Sequence, residues 1–432
     1  MEAVRKEYLQ KLGTLEGALD TIRPGDTIAT GAFGNEPPGF LGKLHTIANR
    51  VERVSLWTTV MMRHYPVVDD ISLAGKIDII TFFYSGACRA GHASGRYTLV
   101  PLNLHSVGKG IVAARRPNVL VIAVSPMDEQ GKFYIAFDIQ VIWEMIEAAD
   151  MLILEVNPNI PKVYGETAIP LHKVDYIYEY AAPVPELISP PPSKEDQLIA
   201  ENVASLVRDG DCIQLGIGGM PDSVGVRLLD KKELSIHTEM LTSSMGRLIK
   251  AGVVTNTRKN TDRGKTVAAF IWGDRELYEL VRENPQIELH RAAYTNDPFQ
   301  IAKNDNVVSV NTALQIDLTG QICSESIGGR QYSGTGGAAD FAYGAYHSKN
   351  GRGIIAIHAC AKNGTVSRIV PQLSLGAIVS ISRNVVDYVV TEYGIAKLRD
   401  RTIRQRVENL IAVAAPEFRR DLRKQANDLL LW

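Results

Sequence analysis

The feature that most restricts how this 432-residue chain can fold is a pattern it uses twice. The stretch IRPGDTIATGAFGNEPPGFL, Ile22 to Leu41, returns in altered form as VRDGDCIQLGIGGMPDSVGV, Val207 to Val226. Each copy carries Gly-Asp ahead of a short strand-like run (Gly25-Asp26 and Gly210-Asp211) and a glycine at the end of that run (Gly31 and Gly216). Each also has a glycine three residues before a proline, Gly34 to Pro37 and Gly218 to Pro221. A helix end, a strand, a glycine loop and a new helix are therefore expected in both places. Both copies then reach a second strand, VSLWTTV at 54 to 60 and LSIHTEM at 234 to 240. These share Ser-x-x-Thr, so that Ser55 matches Ser235, Thr58 matches Thr238, and Glu239 falls on Thr59. The scaffold needs no carboxylate there, which marks Glu239 as specialised.

A chain of this length exceeds one ordinary core, and the repeat divides it into two. The division is expected at APVPELISPPPS, 182 to 193, where five prolines disfavour both a helix interior and a central strand. The sequence thus predicts an N-terminal α/β domain over 1–185, a proline-rich linker over 186–193, and a C-terminal α/β domain over 194–432 that carries Glu239. After the linker, Ser193 and Asp196 have capping-box spacing, and Ile199, Val203, Leu206 and Val207 form an apolar stripe that ends before Gly210. Further strands are expected at 77–84, 119–124, 151–156, 267–272, 353–359 and 385–390. Their alternation with helical patterns such as ELYELVREN, 276 to 284, indicates α/β domains with mainly parallel sheets. Ligands of such sheets sit beyond the carboxyl ends of the strands, where Gly216 to Pro221 and Glu239 both lie.

Charge excludes some partners. With 22% charged residues and a formal net charge of −1, no global field favours nucleic acid or an anionic membrane. Cys88, Cys212, Cys323 and Cys360 are scattered, without zinc spacing, which fits a reduced, metal-free cytoplasmic protein. The start, MEAVRKEYLQKLG, lacks the apolar core of a signal peptide, and no apolar run approaches the roughly 18 residues of a membrane span.

The loop GIGGMP follows a strand and opens a helix, so its backbone N–H groups suit an anion or a developing oxyanion. It reads equally well as a tight turn with Pro221 at the first helical position. Gly216, Gly218 and a later Glu239 also imitate a dinucleotide-binding fingerprint, but Pro221 stands where its third glycine belongs, so a nucleotide-binding dehydrogenase is the distant alternative. A glutamate with an ordinary pKa of about 4.3 is ionised at neutral pH and needs no base to act as a nucleophile. Its attack on a thioester gives an anhydride and a thiolate. Return of the thiolate leaves a glutamyl thioester that keeps the original bond energy. Such chemistry suits moving a thiol carrier between carboxylic acids. A second glycine cluster, YSGTGGAADF at 332 to 341, offers further donors or is simply a connecting loop.

The segments GIGGMPDSV (216 to 224), LSIHTEM (234 to 240), AYTNDPFQIAKNDNVVSVNTALQIDLTGQI (293 to 322), YSGTGGAADF, AKNGTVSRIVP (361 to 371) and VVTEYGIAKLRDRTIRQR (389 to 406) resemble the acetyl-CoA hydrolase/CoA-transferase family. The resemblance points to its 4-hydroxybutyrate or butyrate CoA-transferase branch, and VLVIAVSPMDEQGKF (119 to 133) and ADMLILEVNPNIPKVYGET (149 to 167) extend it over nearly the whole chain. It implies Glu239 as the nucleophile, Gly216, Ile217, Gly218, Gly219 and Met220 as a CoA-binding loop, and Gly336, Gly337 and Lys362 as further CoA contacts. Coenzyme A is then a substrate beside acyl-CoA and small carboxylic acids, with no prosthetic group or metal. The active site is expected in the interdomain cleft of a homodimer or larger homo-oligomer. An acyl-CoA hydrolase using the same glutamate is the near alternative. The chain departs from the family at Ala338, where many relatives have Gln, and at Leu241 to Ser244, where many have Ser-Asp-Gly. Three features outside the motifs have two readings each. Glu36 either faces the acceptor acid or caps the following helix. Arg89, Arg96 and Lys109 either meet CoA phosphates or are solvated loop charges. His237, on the same strand face as Glu239, either orients it or packs.

Overall fold

A computed structural model describes residues 2–216 and 218–431. The chain forms two compact units, Met1–Leu187 with Ala268–Tyr294, and Ile188–Val267 with Thr295–Trp432. Residues 268–294 thus group with the N-terminal unit, unlike the continuous second domain drawn from the linker. The backbone gives the reason. Ile139 N–H donates to Ala269 O at 3.1 Å, Ile271 N–H donates to Phe137 O at 2.9 Å, and Ile287–Leu289 pairs in parallel with Tyr164–Gly165.

The first unit holds a seven-stranded sheet of β1 (Thr27–Thr30), β2 (Val54–Thr58), β3 (Ile77–Thr81), β4 (Tyr97–Leu99), β5 (Val119–Val124), β6 (Met151–Val156) and β7 (Tyr176–Glu179). Its order is β7-β6-β5-β1-β2-β3-β4, parallel throughout. Short runs such as VLVIAV are buried along their whole length, as parallel strands covered on both faces must be. Helix α1 (Pro38–Lys43) follows the first glycine loop, with its proline at the start.

In the second unit, α2 (Lys194–Leu206) opens with the expected capping box between Ser193 and Asp196 and buries Ile199 and Val203. It stops at Leu206, and Gly210 lies in the turn beyond, at φ +80°. The strands β8 (Cys212–Leu215), β9 (Ser235–Leu241), β10 (Val307–Asn311), β11 (Arg352–Ala356), β12 (Tyr388–Thr391) and β13 (Gly394–Lys397) run in the order β13-β12-β11-β10-β8-β9. All pair in parallel except the β12–β13 hairpin. Only part of the expected strand 385–390 forms, because Val385 lies in a turn, its N–H donating to Ser382 O at 3.1 Å, and the strand begins at Tyr388.

The repeat is a true structural register. β1 lies between β5 and β2 with Thr27 opposite Ser55, and β8 lies between β10 and β9 with Cys212 opposite Ser235. In each Gly-Asp pair the aspartate accepts the backbone N–H three residues earlier, Arg23 to Asp26 at 2.7 Å and Arg208 to Asp211 at 2.6 Å. Each strand-end glycine donates to the neighbouring strand, Gly31 to Val121 at 3.2 Å and Gly216 to Val310 at 2.8 Å. Thr59 and Glu239 are therefore positional equivalents. However, β2 stops at Thr58, whereas β9 runs on to Leu241.

Candidate active site

Glu239 interrupts the burial of β9. Thr238 and Met240 are buried, while the Glu239 side chain is partly accessible at the carboxyl end of the sheet. Its partners come from two distant segments. Asn296 Nδ2 donates to Glu239 Oε2 at 3.0 Å, and the Gly337 backbone N–H donates to the carboxylate as well. Gly337 is the N-cap of the ten-residue helix α5 (Ala338–His347), so a helix start with its partial positive charge faces the acid. Close approach requires glycine here, since a Cβ on residue 337 would overlap both Glu239 Oε2 and Asn296 Nδ2. Gly336, at φ +56°, supplies the turn that brings residue 337 in.

Burial pushes the Glu239 carboxyl up to about 7. The negative charge of Asp340 adds to this, while the Asn296 and Gly337 hydrogen bonds pull the other way. Asn296 is fully buried, and its Oδ1 has no hydrogen-bond partner among the described residues. His237 shares the strand face of Glu239, and its Nε2 donates to Thr295 O at 2.9 Å. It thereby steadies the backbone next to Asn296.

The GIGGMP loop turns at Gly218, φ +116°, which caps α3 (Gly219–Arg227). Pro221 is consequently the third helical residue, two later than expected, because the positive φ of Gly218 lets the helix begin early. Ile217 lies outside the described residues. Gly218, Gly219 and Met220 line a cavity of about 460 Å³, while Gly216 pairs with Val310 at the strand end. The departure at Leu241 to Ser244 also has a structural account. Leu241 ends β9, Thr242 caps α4 (Ser243–Lys250), and Ser244 Oγ donates to Asp222 Oδ1 at 2.9 Å. The run after Glu239 is therefore tied to the helix that opens from the glycine loop.

Lys362 is exposed on the turn between Cys360–Ala361 and Val366–Ser367 and is absent from the cavity wall. Arg96 does not carry the phosphate reading, because its buried guanidinium binds the carbonyls of Ile77 at 2.7 Å, Asp70 at 3.0 Å and Val68 at 3.1 Å. Glu36 is no helix cap. It is buried, accepts Met62 N–H at 3.1 Å and pairs with Arg63 at 3.3 Å, and burial raises its carboxyl to about 7. Asn296 escaped the sequence reading, since nothing in AYTNDPFQ distinguishes it from an ordinary asparagine before a helix capped by Asp297.

A carboxylate with two donors on it and a helix start beside it has what acyl chemistry requires, a nucleophilic oxygen and N–H groups able to meet an oxyanion. Family models match most of the chain, the acetyl-CoA hydrolase/transferase N-terminal domain over residues 1–187 and the C-terminal domain over 273–426. The succinyl-CoA:cyclohexane-1-carboxylate CoA transferase of Geobacter metallireducens is 42% identical, over 98% of this chain and 96% of its own length. The 4-hydroxybutyrate coenzyme A transferase of Clostridium kluyveri is 44% identical over 79% of this chain and 80% of its own length. The crystal structure of RipA from Yersinia pestis matches at a TM-score of 0.94 and 36% identity, covering 99% of this chain and 100% of that one.

Proposed function

The chain belongs to the acetyl-CoA hydrolase/transferase family, and on that premise we propose that it transfers CoA from an acyl-CoA to a short-chain carboxylic acid through a glutamyl-CoA thioester on Glu239. The observation that carries the proposal is the convergence of Asn296 Nδ2 and the Gly337 N–H on the Glu239 carboxylate. In the first step a Glu239 oxygen attacks the thioester carbonyl, the C–S bond breaks, and CoA leaves as the thiolate from a mixed anhydride. The thiolate then attacks the glutamyl carbonyl and the donor acid departs as a carboxylate, so the enzyme holds the CoA. An acceptor carboxylate repeats both steps in reverse and carries the CoA away. No net proton is exchanged. Each tetrahedral intermediate on the glutamyl carbon places charge on the oxygens of the group that Asn296 and Gly337 already bind, so these donors need little reorganisation.

The 4-hydroxybutyrate coenzyme A transferase named above supports an acceptor of the short-chain acid class, to which butyrate and acetate also belong, with an acyl-CoA as donor. The test is incubation with acetyl-CoA alone, followed by mass spectrometry of the Glu239 peptide. A CoA adduct is expected, and its absence in active enzyme excludes the covalent path. Release of free CoA without added acid, undiminished when acetate or butyrate is supplied, would instead identify a hydrolase.

Asn296→Ala is expected to slow adduct formation by about 10²- to 10³-fold, the usual effect of deleting one oxyanion donor. Single-turnover rates measure it, and a change under threefold would remove Asn296 from the mechanism. The raised carboxyl predicts an acid limb. Below pH about 7 Glu239 takes up its proton and stops being a nucleophile, so adduct formation falls about tenfold per pH unit and levels off above that value. A rate that stays flat to pH 5 would contradict this.

A further inference from the structure

We infer that Arg368, in the wall of the 460 Å³ cavity, grips the phosphate groups of coenzyme A, an assignment that rests on the CoA-transferase reading above. The cavity lies wholly within the second unit, beyond the carboxyl ends of β8, β10 and β11. Met220, Leu314 and Ile357 give it apolar walls, Gly218 and Gly219 bring the start of α3 to it, and Tyr332 adds an aromatic ring. Its volume exceeds what a short carboxylic acid fills and falls in the range of larger organic ligands. Apolar walls with one cation describe an amphipathic arm ending in an anion.

Arg368 is the arginine of the cavity wall, which holds no other arginine or lysine among the described residues. No carboxylate pairs with it among the described residues, and its side-chain hydrogen bond is one of 3.5 Å from Nη1 to Ala313 O, at the limit of a useful contact. The acid in the same wall, Asp196, does not compete for it. Asp196 Oδ1 accepts His358 Nε2 at 2.8 Å, and Oδ2 accepts the Ser193 backbone N–H at 3.0 Å. The Arg368 backbone is fixed on both sides, its N–H donating to Ala359 O and its carbonyl accepting Ile316 N–H, each at 2.9 Å. The guanidinium therefore springs from paired backbone, unlike Lys362 at its exposed turn. A planar fork held this way is suited to two-point binding of phosphate.

The cavity also lies within an arm's length of the acid. Ser333 lines it and Gly337 touches Glu239, and four residues of chain span at most about 14 Å. A thioester at Glu239 can thus run its arm along 333–337 into the cavity, placing the phosphates against Arg368.

The test compares binding of coenzyme A and of pantetheine, which lacks every phosphate, by calorimetry on the full chain. The wild-type protein is expected to prefer coenzyme A. Arg368→Gln lowers that preference by about 10- to 100-fold, and Arg368→Lys, which keeps the charge but loses the fork, recovers part of it. Dephospho-CoA separates the sources. A loss that persists with it assigns Arg368 to the diphosphate, and one that vanishes assigns it to the 3′-phosphate. An unchanged preference in Arg368→Gln with a normal melting temperature overturns the assignment, as does an equal loss for both ligands in Gln and Lys variants. A wild-type protein that shows no preference and forms no adduct with acetyl-CoA would overturn the CoA-transferase reading itself, whatever the variants do.

Discussion

Glu239→Ala is expected to lose CoA transfer by at least about 10³-fold and to form no CoA adduct at residue 239, because the carboxylate that becomes the thioester is gone. Glu239→Asp should lose most of the activity as well. Its carboxylate is retracted by one methylene, and a displacement of about 1 Å from an attack geometry costs about 10²-fold. The Asn296 and Gly337 donors are fixed by a buried segment and a helix start, so they do not follow the shortened side chain. Transfer assays with acetyl-CoA and butyrate, together with mass spectrometry, check both variants. Near-normal transfer by Glu239→Ala would end the proposed mechanism. Glu239→Gln supplies the folding control. The folded-state pKa lies above the usual value, so the carboxyl favours folding at low pH and opposes it as pH rises through about 7. The Gln variant should accordingly melt no lower than the parent at pH 8. An inactive variant that melts normally separates chemistry from collapse.

Gly337→Ala is expected to cut transfer by about 10²- to 10³-fold while leaving the fold in place. The residue has φ −100°, which alanine adopts without strain, so the backbone has no objection. The objection is local. A Cβ there occupies the space of Glu239 Oε2 and Asn296 Nδ2, forcing the carboxylate off its donors. Gly336→Ala separates the two kinds of glycine requirement. At φ +56° it strains the turn, so its expected cost is about 1 kcal/mol of stability, seen as a lower melting temperature. Equal effects of the two substitutions on the ratio of activity to stability would refute the steric account of Gly337.

Several parts of this arrangement were legible in the sequence because they are local. The capping box at Ser193 and Asp196 is set by residues three apart, and the all-apolar runs at 119–124 and 151–156 announce parallel strands buried on both faces. The Gly-Asp turns and strand-end glycines of the repeat use the same hydrogen bonds in both units, so their spacing survived in the chain even where side chains changed. Pro221 was misplaced by two positions, because a helix start depends on the φ of Gly218 and composition does not report dihedral angles. The Arg96 phosphate reading failed for a related reason. An arginine in a glycine-rich stretch looks solvated until tertiary packing surrounds its guanidinium with carbonyls.

What the sequence determined by itself was the repeated strand-loop-helix plan, the mainly parallel α/β class, the family, and Glu239 as the residue the scaffold did not require. Only the tertiary structure decided what Glu239 meets. Asn296 is 57 residues away and Gly337 lies further still, and the two reach one carboxylate because the folding of the second unit brings their segments to it. The same holds for residues 268–294, whose pairing with 137–139 and 164–165 assigns them to the first unit. Periodicity and turn chemistry act over a few residues and can be read along the chain. The choice of which loops converge is made by strand order and crossover connections, through contacts between segments that carry no local mark of one another.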